Sequence, residues 1–149
     1  MGSVPRLAAL GTALALAAVG GGAALAARTA ASPAAVVRAW SKALNANDNA
    51  AAGRLFAIDA LVVQGTLDAR IPSAKLAAAF NDSLPCSGRI IRLTVKGEQV
   101  TATFVLGHRP KHICMGVGQK AAALFVVVGG KIVAWEQIPV PPPPSKSAV

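Results

Sequence analysis

Tyrosine is absent from this chain of 149 residues, histidine and cysteine occur twice each, and only six residues are acidic. Little catalytic machinery can be assembled from that supply. Two histidines and no Gly-x-Ser-x-Gly elbow leave no nucleophilic triad, since Ser73, Ser83 and Ser87 fall at a helix cap or in turns. Paired carboxylates are equally scarce, because Asp48, Asp59, Asp68, Asp82, Glu98 and Glu136 sit mostly at turns and caps. Aromatic residues make up only 4%; the net charge is +9, and the basic residues beyond Arg28 are scattered from Arg38 to Lys146 without a cluster. That excludes nucleic acid as the natural partner and leaves anionic lipids or wall polymers as the use of the charge. No motif implies a cofactor.

What the chain has in excess is apolar residues, 54% against 14% charged, and part of that excess is a targeting segment. Arg6 gives a positive start, Leu7 to Val19 is an apolar core, and Gly-Gly-Gly-Ala-Ala-Leu-Ala-Ala follows with small residues suited to signal peptidase. Residues 1–31 therefore read as a signal peptide, cut after Ala26, Ala27 or Ala31. The alternative is a retained anchor, since Leu7 to Ala27 is 21 residues without a charge. Alanine and glycine insert poorly, which favours cleavage. With no cysteine near the cut, a lipid-modified lipoprotein is excluded. Removing Arg6 and Arg28 with the leader leaves 13 basic and 6 acidic residues, a net charge of +7. Heavy use of Ala, Gly, Arg and Pro fits a GC-rich bacterial genome, so the expectation is a bacterial protein that is secreted or held in the cell envelope.

Beyond the leader the pattern is helical. Ser32 is a natural N-cap, Pro33 suits the first helical position, and Val36, Val37, Trp40 and Leu44 share one face. An Asn-rich corner breaks this helix, and Asp48 or Asn49 caps a second one bearing Ala51, Ala52, Leu55 and Phe56. Leu61 to Gln64 reads as a short strand, and Leu67 to Ile71 as another strand or a connecting loop. Ser73 then caps a third helix with Leu76, Ala77 and Phe80 inward.

After Gly88 the period changes to two. Ile91, Leu93 and Val95 alternate with Arg92, Thr94 and Lys96; Gly97-Glu98 turns; Val100, Ala102, Phe104 and Leu106 alternate with Thr101 and Thr103. The strongest local signal is Ala121 to Ile138, two strand-forming runs around Gly129-Gly130, a pair that can take the positive φ values of a tight hairpin turn. Its first arm is apolar on both faces, which predicts a strand covered on both sides. Pro139 to Val149 has no amphipathic pattern and reads as an extended polyproline or disordered tail.

The closing hairpin, with Gly130, Lys131, Ile132, Val133, Trp135 and Glu136, resembles the last hairpin of the NTF2-like superfamily and its SnoaL-like domains. The phrase Trp40, Asp48, Leu55, Phe56, Ala57, Asp59 and Ala60 is similar to that family's opening. The resemblance covers about residues 33 to 138. It implies an α+β fold, a cone in which three N-terminal helices pack on a curved antiparallel or mixed sheet, so residues 32–138 form one domain between the leader and a tail at 139–149.

Such a cone usually keeps an unfilled interior, which makes Trp40, Phe56, Phe80, Phe104 and Trp135 ligand-pocket candidates, though core packing explains each of them singly. Enzymes of this fold place an acid or base inside the cone, and the candidates here are Asp68, Glu136 and His108, the last continuing the inward phase of Leu106. Without tyrosine, the Tyr-Asp oxyanion arrangement of the related steroid isomerases cannot be built. The Asp-Arg-Asp set of the related epoxide hydrolases has no counterpart either, because Arg92 faces outward.

Cys86 and Cys114 stand at neighbouring strand ends, and in an exported protein a disulfide is the expectation. The alternatives are two free thiols or a metal held by Cys86, His108, His112 and Cys114, whose spacing fits no standard zinc pattern. Two functions follow: an exported, non-enzymatic module binding a small apolar ligand or an envelope partner, or a SnoaL-like hydrolase, isomerase or cyclase acting on an apolar molecule. A homodimer through the sheet is compatible with either.

Overall fold

The computed structural model describes residues 29–145. All but the last three residues of the expected leader, and the last four of the tail, lie outside the described residues.

Local chemistry sets the helix starts. Ser32 Oγ accepts the Ala35 amide at 3.3 Å and begins α1 (Pro33–Asn45), Asp48 Oδ1 accepts the Ala51 amide at 2.9 Å and begins α2 (Asn49–Arg54), and Ser73 Oγ accepts the Leu76 amide at 3.2 Å and begins α3 (Ala74–Ser83). Between α1 and α2 Asn47 takes φ 58°, a left-handed conformation that asparagine tolerates. The chain then runs through β1 (Phe56–Gln64), β2 (Leu67–Ile71), β3 (Ser87–Lys96), β4 (Gln99–Gly107), β5 (Lys120–Val128) and β6 (Lys131–Ile138), with α3 between β2 and β3.

These six strands form one mixed sheet in the order β2-β1-β6-β5-β4-β3, in which only the β1–β6 pair is parallel. Gly129 and Gly130 turn β5 into β6 with φ 58° and 79°, as the hairpin requires. The helices lie on one face. Val36, Val37, Trp40 and Leu44 of α1 bury against Val100, Ala102, Phe104, Phe125, Ile132 and Trp135, and this is the core. Trp40 Nε1 donates to Asn81 Oδ1 at 2.7 Å, and Asn81 Nδ2 donates to Ala77 O at 2.8 Å, so a fully buried asparagine ties α1 to α3.

Three sequence expectations need correction. Phe56 opens β1 rather than closing α2, and the strand is longer than Leu61–Gln64, bent by an irregularity in its pairing to β6 where Asp59 takes φ 60°. Of the strand and the loop left open for Leu67–Ile71, the chain takes the strand, paired with β1. In β3 a bulge between Ile90 and Arg92 shifts the phase, so Ile90 packs inward with Leu93 while Ile91 is 41% exposed; Val95 keeps the phase of Leu93, opposite Val100, and is 46% exposed near the strand's end. The first arm of the closing hairpin, β5, is covered by helices on one face only; Leu124 and Val126 on the other are half-buried. The tail crosses that outer face. Arg92 donates to Pro141 O at 2.7 Å and Pro142 O at 3.0 Å, and Pro144 lies over the same hollow with Thr94, Thr101, Leu124 and Ile138.

Candidate functional site

Between α1 and the concave face of the sheet lies a cavity of about 200 Å³, open to solvent on one side. Helix α1 contributes Trp40, Ser41 and Leu44, and β4 contributes Phe104 and Leu106. Ala121, Ala122 and Ala123 of β5 make a small-residue floor, and Leu84, Pro85 and Cys86 form a rim. The alanines leave the space that larger side chains would fill.

Polar groups enter this apolar chamber at few points. Strand alternation puts Trp135 and Gln137 of β6 on the inner face, and parallel pairing of Val62 with Trp135 brings Gln64 of β1 beside Gln137. The two tryptophans differ in one respect. The Trp40 indole N–H is satisfied by Asn81, whereas Trp135 Nε1 is buried with no hydrogen-bond partner. An unpaired buried donor costs about 1–3 kcal/mol, a cost that Trp135 carries within the packed wall, where its N–H is closed to solvent.

The walls are held rigidly. Ser41 Oγ donates to Gly88 O at 3.1 Å, Asn45 Nδ2 donates to the same oxygen at 3.0 Å, and the Gly88 amide donates to Asn45 Oδ1 at 2.8 Å. Gly88 cannot carry a side chain without strain, because a Cβ would stand 3.0 Å from the Phe104 ring. Behind the chamber the aromatics pack edge to face: Trp40 on Phe125 at 5.1 Å, Phe80 on Trp135 at 5.1 Å and Phe56 on Phe80 at 5.9 Å.

At the rim Cys86 is disulfide-bonded to Cys114. Both sulfurs are therefore spent, and the metal set with His108 and His112 is not assembled. The loop from His108 to Gln119 is pinned again by Arg109, only 2% exposed, which donates to Asn81 O at 2.8 Å and also to Leu84 O and Asn49 Oδ1. Burial pulls the Arg109 guanidinium below its ordinary pKa, and Asp82 pulls it back up. His112 bridges Asp82 at 3.3 Å and meets Asp82 O and Pro110 O at 2.8 Å.

No family model matches the chain, and no curated protein matches it. Solved structures do match. An NTF2-like protein of unknown function from Cytophaga hutchinsonii aligns with a TM-score of 0.61 at 13% identity, over 74% of this chain and 92% of that one. A protein with a ketosteroid isomerase-like fold from Catenulispora acidiphila, solved with trimethylamine, aligns at 0.58 and 21% identity over 69% and 83%. A candidate polyketide cyclase from Sinorhizobium meliloti aligns at 0.56 and 21% identity over 69% and 93%. The fold is NTF2-like.

Within this NTF2-like cone the sequence-derived site residues separate. Trp40, Phe104 and Trp135 line the cavity, whereas Phe56 and Phe80 stand behind it in the core. The three acid/base candidates lie elsewhere. Asp68 is exposed on the edge strand β2, and Glu136 points to the opposite face of β6 from its neighbours Trp135 and Gln137. His108 follows the last residue of β4, where the strand alternation ends, and it is exposed while Arg109 turns inward. Sequence reasoning missed Gln64, Gln137, Ser41 and Gly88. The period-two pattern could have found Gln137, two residues from Trp135; the others depend on pairing and helix placement.

Proposed function

We propose that the protein is an exported, non-enzymatic module that binds a small, neutral, largely apolar molecule carrying one hydrogen-bond acceptor. The observation that carries this reading is an apolar cavity whose lining residues include no histidine, acid or base, and into which the carboxamides of Gln64 and Gln137 bring hydrogen-bond donors. A charged ligand would be desolvated there without a counter-ion, which is costly, while a carbonyl or ether oxygen would accept from a carboxamide N–H. About 200 Å³ suits a molecule of one or two rings, given that an apolar void of about 150 Å³ accepts benzene. The disulfide agrees with an oxidising compartment and so with removal of residues 1–31 on export. The alternative, a hydrolase, isomerase or cyclase, needs an acid or base at the bound molecule, and Asp68, His108 and Glu136 do not line the cavity. A homodimer through the sheet is not part of the reading, since Pro141 to Pro144 already lie on that face.

Calorimetric titration with three naphthalenes tests it. 2-Acetylnaphthalene is expected to bind about 3- to 10-fold more tightly than 2-ethylnaphthalene, the worth of one hydrogen bond, and 2-naphthoate more weakly than either. The double variant Gln64→Leu, Gln137→Leu is expected to erase the preference for the ketone. Equal binding of the naphthoate, or no binding of the uncharged pair, would sink the proposal.

A further inference from the structure

We infer that the loop joining β4 to β5 is a docking site for an anionic phospholipid surface. Three large apolar residues crowd its tip: Ile113 is 80% exposed, Met115 89% and Val117 48%. Single exposed apolar residues are ordinary on a protein surface, but three in five positions on one loop are not. The covalent structure explains their projection. Cys114 is drawn inward by its bond to Cys86 and is buried, so its two neighbours are splayed into solvent. The loop's base is fixed by the Leu106 amide on Gln119 O and the Gly118 amide on Leu106 O, each at 2.8 Å. The apolar tip is therefore held out on a braced loop.

Around it stands a basic collar. Arg89 and Lys120 both pair with Val105, one from each flanking strand, so the two cations lie in one row at the loop's base, and Lys111 is exposed on the loop itself. The acid nearby, Asp82, is engaged by His112. Apolar side chains that enter the acyl boundary beneath a ring of lysine and arginine match a bilayer with anionic headgroups. A wall polymer would use the charges and leave the three apolar side chains in water, and a second copy would set the same basic collar against itself.

The docking surface also adjoins the cavity: Cys86 and Leu106 line the chamber, and both hold the loop. Docking would place the cavity's mouth at the lipid surface, but it stands independently of what the cavity binds.

The test uses the processed chain recovered from an exporting host, floated with vesicles of phosphatidylglycerol and phosphatidylcholine or of phosphatidylcholine alone. The expected result is flotation with the anionic vesicles only, weakened about fivefold for each of Lys111→Gln and Lys120→Gln. The triple variant Ile113→Ser, Met115→Ser, Val117→Ser should lose flotation and keep the wild-type unfolding midpoint, since the exposed side chains contribute little to the core. Any of these flotation results would overturn the inference: no flotation of the wild-type chain, equal flotation with phosphatidylcholine alone, or undiminished flotation of the triple variant, which would leave charge alone as the cause. A wild-type dimer made monomeric by the triple substitution would overturn it in favour of a contact between copies.

Discussion

At the scale of single residues, the fold depends on polar side chains that replace water as hydrogen-bond partners. Arg109 supplies donors to the carbonyls of Asn81 and Leu84 at the end of α3, and Arg109→Met should lower stability by about 2–4 kcal/mol in urea unfolding, because buried acceptors lose their partner. Arginine stays charged far above neutral pH even when burial lowers its pKa, so this contribution should not vary between pH 5 and pH 8. Gly88→Ala should cost about 1–3 kcal/mol by pressing a methyl group on Phe104, and should weaken ligand binding as the wall shifts. In contrast, Asp68→Asn, His108→Asn and Glu136→Gln should leave ligand affinity within about twofold, by calorimetry, as expected for exposed groups away from the cavity. Neither the role of Arg109 nor that of Gly88 was readable from the sequence. A lone arginine beside a loop histidine looks solvated; only the arrival of α3's end and the disulfide beside it makes it a buried clamp.

At the scale of elements, whatever depends on local periodicity was legible and whatever depends on an interruption was not. The three capped helices and the Gly129-Gly130 hairpin announce themselves by spacing and turn chemistry. The β3 bulge leaves no mark in the alternation, so Ile91 reads as core and stands in solvent. Phe56 fitted a helical face equally well, and its place in β1 is decided by pairing with Ile132 on β6. The link between β3 and the β4–β5 loop is covalent. Closing a loop of about 29 residues constrains the unfolded chain by roughly 3.5 kcal/mol. The double variant Cys86→Ala, Cys114→Ala should lose about that much in denaturant unfolding, and its rim should exchange amide hydrogens faster while the β5–β6 hairpin stays protected. At the helix layer, Gly53→Ala should cost about 1–3 kcal/mol, since its Cβ would come within 2.8 Å of the Ala78 backbone where α2 and α3 touch.

At the scale of the molecule, the order of helices and strands carried the fold, and the six-stranded mixed sheet with its helices on one face agrees with it. The cavity was legible as a consequence of that fold, whose interior is usually left partly unfilled, but its chemical character was not. Acids and a histidine that looked available fall outside it, and the groups that enter it are an indole and two carboxamides brought together by a parallel strand pair. The proposed function rests on that composition. The most direct test follows the side-chain amide signals of Gln64 and Gln137 in a proton–nitrogen correlation spectrum. Titration with 2-acetylnaphthalene should move at least one of these pairs downfield as an N–H finds the carbonyl. A saturable downfield shift that 2-ethylnaphthalene does not reproduce would bear the account out; signals that never move, or move alike with both compounds, would contradict it.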